Sequence, residues 1–139
     1  MAVLLLHNLN IMKQMSDSGL TEEIIISQGY QPLSSIELKN RIFNKTINGD
    51  YYIGRIFAIY IDTDGKMEGI NDLGSHRFGQ CFIDFENNTL TTKWIMGWDN
   101  WTGRAYLVNN EIQFFDTTTN MWRTTFNKIE EGFTSLKII

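Results

Sequence analysis

Several scarcities bound what this chain can be. Cysteine occurs once, at Cys81, so no intrachain disulfide can form, and a reducing compartment fits. Histidine occurs twice, at His7 and His76, and neither has a second histidine or a cysteine at metal-ligand spacing, which points away from a metal or haem. Proline occurs once, at Pro32, and no low-complexity segment is present. No apolar run reaches the roughly 18 residues of a membrane-spanning helix. Basic charge is not in excess: 12 Lys and Arg stand against 16 Asp and Glu, a net charge of −4. That balance is a poor match for nucleic-acid binding, which needs a basic patch to displace counterions. No Ser/His/Asp series and no glycine-rich phosphate loop stands out, so no catalytic residue or cofactor is assigned and the chain is not expected to be an enzyme. The opening "MAVLLLHNLNIMKQM" has a short apolar run without a preceding basic region or a clear cleavage site, and a cytoplasmic location is expected, with a periplasmic or secreted one the alternative if this run is a degenerate signal.

What the chain does have is aromatic mass and a change of rhythm. Its 139 residues suggest one domain, and the 42% hydrophobic content is enough for a core without a staple. Aromatic residues make up 13%, and three of the four tryptophans fall within "WIMGWDNWTGRAY", Trp94 to Tyr106. Before about residue 45 the periodicity is helical. Leu5, Leu9, Met12 and Met15 recur at three- and four-residue steps, Gly19 reads as a stop, and Thr21 reads as a cap with acidic residues after it. In "LSSIELKNRIF", Ser34 or Ser35 can cap a short helix seated by Ile36, Leu38, Ile42 and Phe43. After Lys45 the composition turns to threonine, aromatic and branched residues with turn signals about every ten residues, the pattern of an antiparallel meander. Residues 1–45 are therefore expected to form a helical segment that packs on a β-barrel formed by residues 46–139.

The turn signals fix trial registers, because a side chain's face alternates strictly along a strand. A turn at Asn109-Asn110 sets Leu107 opposite Ile112 and Ala105 opposite Phe114. A turn at Asn87-Asn88 sets Ile83 opposite Thr92, Cys81 opposite Trp94 and Gly79 opposite Met96. A turn at Asp99-Asn100 sets Trp98 opposite Trp101, Trp94 opposite Ala105 and Thr92 opposite Leu107. All three put the same apolar side of the segment around Trp94 inward. "DTDGK" suits a three-residue loop with Gly65 left-handed, which turns Ile61, Met67, Ile59, Phe57, Arg55 and Ile53 inward. For "DTTTN", apolar content favours a three-residue loop with Trp122, Thr124 and Phe126 inside, opposite Asp116, Phe114 and Ile112, over a four-residue loop that would turn Met121, Arg123 and Thr125 inward. Seven or eight strands joined in order would leave two sticky edges if flat. Closure removes them, so the expected fold is mainly β, an antiparallel up-and-down barrel of 7–8 strands with short N-terminal helices.

Within that frame a few polar and aromatic residues gain meaning. Trp94 is expected in the core. Trp98 and Trp101 sit beside a turn, where they either cap the core or line a ligand mouth, and a buried indole N–H needs an acceptor, for which Asp99, Asn100 and Asn71 are candidates. Arg55 is directed inward between Ile53 and Phe57 and requires an acceptor of its own. Asp116 is directed inward too, so Arg55 either pairs with it, stacks on a tryptophan, or serves as a cationic anchor for an acidic small molecule. Cys81 points into the core and is read as inert.

The stretch "LSSIELKNRIFNKTINGDYYIGRIFAIY", Leu33 to Tyr60, resembles the opening of small uncharacterised bacterial proteins with a lipocalin-like, calycin-type barrel. Their "L-S-x-x-E-L", "G-K-T", "D-G-K/T…G" and tryptophan-strand features are matched by "LSSIEL", "NKT" at Asn44 to Thr46, "DGKMEG" at Asp64 to Gly69, "GQCF" at Gly79 to Phe82 and "TKW" at Thr92 to Trp94. Asparagine stands where glycine is usual in "GKT", and the early "G-x-W" of true lipocalins is missing. The resemblance implies a fold and carries no catalytic residues. The expected function is binding of a small hydrophobic, amphipathic or acidic molecule, with Trp98, Trp101 and Trp122 as walls, Arg55 as anchor, and Asn71 and Asp116 as polar neighbours. The alternative is a filled barrel that captures a protein partner through Trp98 and Trp101.

Overall fold

A computed structural model describes residues 20–139 of the chain. The helical periodicity read at Leu5 to Met15 lies outside the described residues. Among the described residues two short helices precede the strands, α1 (Glu22–Ser27) and α2 (Ser35–Ile42). Thr21 caps α1 by accepting from the Ile24 N–H. Ser34 caps α2: its Oγ accepts from the Glu37 N–H at 3.2 Å and donates to the Glu37 carboxylate at 3.0 Å. Eight strands follow: β1 (Lys45–Tyr51), β2 (Arg55–Ile61), β3 (Lys66–Asn71), β4 (His76–Asp84), β5 (Thr89–Trp94), β6 (Trp101–Val108), β7 (Glu111–Asp116) and β8 (Trp122–Glu131). Each pairs antiparallel with the next, and β8 pairs with β1, which closes the barrel and leaves no free edge.

The turn residues explain the registers. Asn109 and Asn110 both adopt positive φ (53° and 65°), the conformation a two-residue type I′ hairpin needs, and Leu107 pairs with Ile112 and Ala105 with Phe114 as expected. Gly65 has φ 86°, the Asp62 carboxylate accepts from the Asp64 and Lys66 N–H groups, and Ile61 pairs with Met67. The Asn87-Asn88 hairpin is longer than expected. Residues 85–88 form the loop, so Cys81 pairs with Thr92 rather than Trp94 and Gly79 with Trp94 rather than Met96. The departure is larger at Asp99-Asn100. Residues 95–100 leave the sheet, and Thr92 pairs with Trp101 rather than Leu107. Both offsets are even, so the inward face survives.

The inner face holds Ile47, Ile59, Ile61, Met67, Cys81, Leu90, Trp101, Ala105, Ile112, Phe114 and Phe126, and α2 adds Leu38 and Ile42 over one end of the barrel. Ile36, expected to help seat that helix, is exposed. Glycines make room for rings inside. A Cβ on Gly69 would lie 3.0 Å from Trp98 and 3.1 Å from Trp94, one on Gly79 2.9 Å from Trp94, and one on Gly103 3.0 Å from Trp101. A second cluster lies on the outer surface, where Leu20 and Ile25 cover Tyr106, Val108, Phe115 and Trp122. After β8 the chain returns along β1: Thr134 N–H donates to Thr46 Oγ1, and Asn48 donates to the Lys137 carbonyl at 2.6 Å.

Candidate functional site

The barrel encloses a cavity of about 510 Å³. Helix α2 and its core contacts close one end. The other end is rimmed by the β1–β2, β3–β4 and β5–β6 connections, each of which contributes to the wall. At depth the wall is apolar, with Ile59, Ile61, Met67, Leu90 and Phe126, and toward the mouth it gains Trp94, Trp98 and Trp101. An eight-stranded barrel is the size at which the interior is either filled by side chains or holds one small ligand. Here several inward positions are glycines, and space remains.

Trp101 is 7% exposed and packs edge-on against Phe114 with centroids 5.4 Å apart. Trp94 is half-buried in the wall rather than central in the core, and it meets Trp98 edge-on at 4.6 Å. Trp98 belongs to the six-residue excursion at 95–100, in which Met96 (φ 61°) and Gly97 (φ 83°) turn the chain back over the mouth. Polar bonds hold that loop down. Arg77 Nε donates to the Met96 carbonyl at 2.8 Å, the Trp94 N–H donates to Asn100 Oδ1 at 2.8 Å, and the Tyr51 hydroxyl donates to Asp99 at 3.2 Å. Arg123 donates to the Tyr51 oxygen at 3.2 Å and lies over the Tyr52 ring at 4.3 Å. Burial, with Asp99 adding to it against the opposing pull of Arg123, raises the Tyr51 phenol well above its ordinary pKa, so it remains a donor at neutral pH.

Of the six side chains expected at a binding site, the structure brings Arg55, Asn71, Trp98 and Trp101 to the cavity. It does not bring Asp116 or Trp122. A β-bulge between Phe114 and Phe115 turns Trp122 to the outer surface opposite Phe115, where its Nε1 donates to Thr125 at 2.8 Å. Asp116 pairs with Arg123 and caps its own loop by accepting from the Thr118 and Thr119 N–H groups, so it is not the partner of Arg55. Burial raises the Asp116 carboxyl, but Arg123 and the backbone donors outweigh it and hold its pKa low. Arg55 finds Asp72 instead, at 3.3 Å, with both side chains about a third exposed. Ile53, expected inward, is exposed at the rim. Cys81 is buried, and burial pushes its thiol pKa up to about 12, an inert state at neutral pH.

Sequence reasoning missed Arg77 and Tyr51 in the wall, and it turned Thr92 inward without naming it as a site residue. Arg77 could have been found: it lies two residues before Gly79 on β4, so the register that turned Gly79 inward turns Arg77 inward as well.

The site and fold together define a closed eight-stranded antiparallel barrel with a mostly apolar cavity open at one end. No known protein family, characterised protein or solved structure matches the chain, so the candidate site rests on this geometry. Among the described residues no helix is long and apolar enough to cross a membrane.

Proposed function

We propose that this protein is a lipocalin-like, calycin-type barrel that binds an apolar or amphipathic small molecule, in the cytoplasm. The cavity carries the reading. Its volume of about 510 Å³ lies within the roughly 300–1,000 Å³ range of small-molecule sites. Its composition, hydrophobic and aromatic with a few polar groups near the mouth, is that of a pocket that takes up an apolar body and orients it by one end. A role for Trp98 and Trp101 as a protein-docking patch has less support, because Trp101 is buried and Trp98 is packed against Trp94.

The test is direct. Native mass spectrometry of the purified chain, before and after denaturing extraction, should reveal a carried small molecule. Titration with the neutral fluorophore N-phenyl-1-naphthylamine should give saturable fluorescence enhancement at one site per chain, with quenching of the tryptophans that line the cavity. Absence of both a carried molecule and saturable probe binding would overturn the proposal.

A further inference from the structure

The polar atoms of the cavity wall differ in whether their hydrogen-bonding capacity is already used. Trp98 Nε1 is buried and has no hydrogen-bond partner among the described residues. The three acceptors that the sequence offers it are engaged elsewhere: Asn100 Oδ1 by the Trp94 N–H, Asn71 Oδ1 by the Leu73 and Ser75 N–H groups, and Asp99 Oδ2 by Tyr51 and Arg123. An indole N–H can only donate, and a buried donor left unmade is costly. Thr92, also in the wall, carries a buried unpartnered hydroxyl.

Arg77 adds a charge to this set. It lines the cavity on β4 beside its cross-strand partner Gly69, the residue over which the Trp98 ring lies. Its Nε and Nη1 are held by the Met96 and His76 carbonyls, while Nη2 lies beside Gly97; a Cβ built there would be 3.6 Å away. Arg77 has no carboxylate partner among the described residues, in contrast to Arg55, Arg104 and Arg123. The Asn71 amide, its oxygen fixed by the turn, keeps its NH₂ as a further donor. The unused donors at this pole are the Trp98 N–H, the Asn71 amide and the Arg77 guanidinium, the last with a full positive charge. The carboxylate in the wall, Asp99, has its own cation and donor, because its Oδ2 faces Arg123 and accepts from Tyr51, and the Thr92 and Ser75 hydroxyls can serve either way.

We infer that Arg77 and Trp98, with Asn71 beside them, form an anion-accepting pole that binds the carboxylate or phosphate end of an amphipathic ligand whose apolar body lies against Ile59, Met67 and Leu90. The inference rests on the binding reading above and names the ligand class. Arg77 supplies a charge-assisted hydrogen bond, which is about twice as strong as a neutral one, and Trp98 supplies the donor that has no acceptor among the described residues. Because Arg77 also holds the Met96 carbonyl, the group that meets the anion is the one that seats the loop over it.

Displacement of N-phenyl-1-naphthylamine by single-chain amphiphiles below their micellar concentrations tests this on the full chain. Dodecanoate and dodecyl phosphate should displace the probe at concentrations at least about tenfold lower than dodecanol or dodecyltrimethylammonium. Arg77→Gln and Trp98→Phe, which keeps an aromatic ring and removes the N–H, should each erode that preference while dodecanol still binds. Lys93→Gln, which removes the same charge from the outer surface, should leave it intact. Equal displacement by dodecanol and dodecanoate, or a preference unchanged in both variants, would overturn the anionic pole and leave the apolar cavity standing. Failure of the probe and of every amphiphile to bind would remove the binding reading and this inference with it.

Discussion

Trp98 and Trp101 are near neighbours in the chain but do different physical work. Trp101 begins β6, packs on Phe114 and fills the space that Gly103 leaves, so Trp101→Ala opens a cavity in the core and should cost about 3–5 kcal/mol in denaturant unfolding. Trp98 sits on a loop, packed on one side, and Trp98→Ala should cost only about 1–2 kcal/mol while weakening probe binding. Equal losses of stability would show that the loop belongs to the core. Glu22 is a second residue with a role not visible from its position. It is buried, and its carboxylate accepts from Arg104 at 2.6 Å and 2.9 Å and from the Tyr106 hydroxyl at 2.6 Å. Burial raises its pKa, but those donors outweigh burial and hold it below the ordinary value of 4.5. A carboxyl depressed in the folded state contributes stability that is complete above its unfolded pKa and lost as pH falls through its folded one. Thermal melts from about pH 7 to pH 3 should therefore show a steep acid limb. Glu22→Gln should lower stability near pH 7 by about 2 kcal/mol and flatten that limb. An acid limb of the same slope in the variant would assign the loss to other carboxylates, with Asp116 the next to test.

The hairpins were legible in the sequence where a turn's backbone demand is carried by its own residues. Asn109-Asn110 and Gly65 supply positive φ, and both registers came out as read. Asp99-Asn100 has the look of a turn but folds otherwise, because Asn100 binds the Trp94 N–H and the reversal is made earlier, at Met96 and Gly97. Nothing local marks a methionine for positive φ. The loop is set by Arg77, Tyr51 and the Trp94 ring, contacts that only the closed barrel assembles. The bulge that expelled Trp122 is of the same kind, since outer-face burial under Leu20 and Ile25 outweighs the alternation of β8. The inward face was nonetheless readable across both misjudged turns, because an offset by an even number of residues leaves every side chain on its side. Fewer backbone ladder bonds hold the 95–100 loop than hold β6, and Ile95 and Met96 are exposed. Amide hydrogen exchange at residues 96–99 should accordingly be the faster, should speed up further in Arg77→Ala, and should slow when the cavity is filled by dodecanoate. Protection in the free protein equal to that of β6 would mean that the mouth is rigid and that a ligand must enter elsewhere.

At the scale of the whole molecule, apolar packing is divided between two places separated by the barrel wall. Inside, α2 plugs one end and the strands surround the cavity. Outside, Leu20 and Ile25 clamp the outer face of β6, β7 and β8, with Glu22 locked to Arg104 and Tyr106 beneath. Residues of β6 and β8 contribute to both sides, so the outer clamp can stiffen the wall without touching what the wall encloses. Effects at sites with no shared partners and more than about 7–10 Å apart usually add. Ile25→Ala, at a fully buried position of the outer cluster, should lower stability by about 2–5 kcal/mol. At temperatures where the variant stays folded, probe affinity should change by less than about twofold. The double variant Ile25→Ala, Trp98→Ala should lose stability as the sum of the two single losses, within about 0.5 kcal/mol. A large loss of affinity in Ile25→Ala alone would show that the clamp sets the shape of the cavity through β6 and β8. The outer helix would then belong to the binding apparatus, and the barrel would have to be treated as one coupled unit.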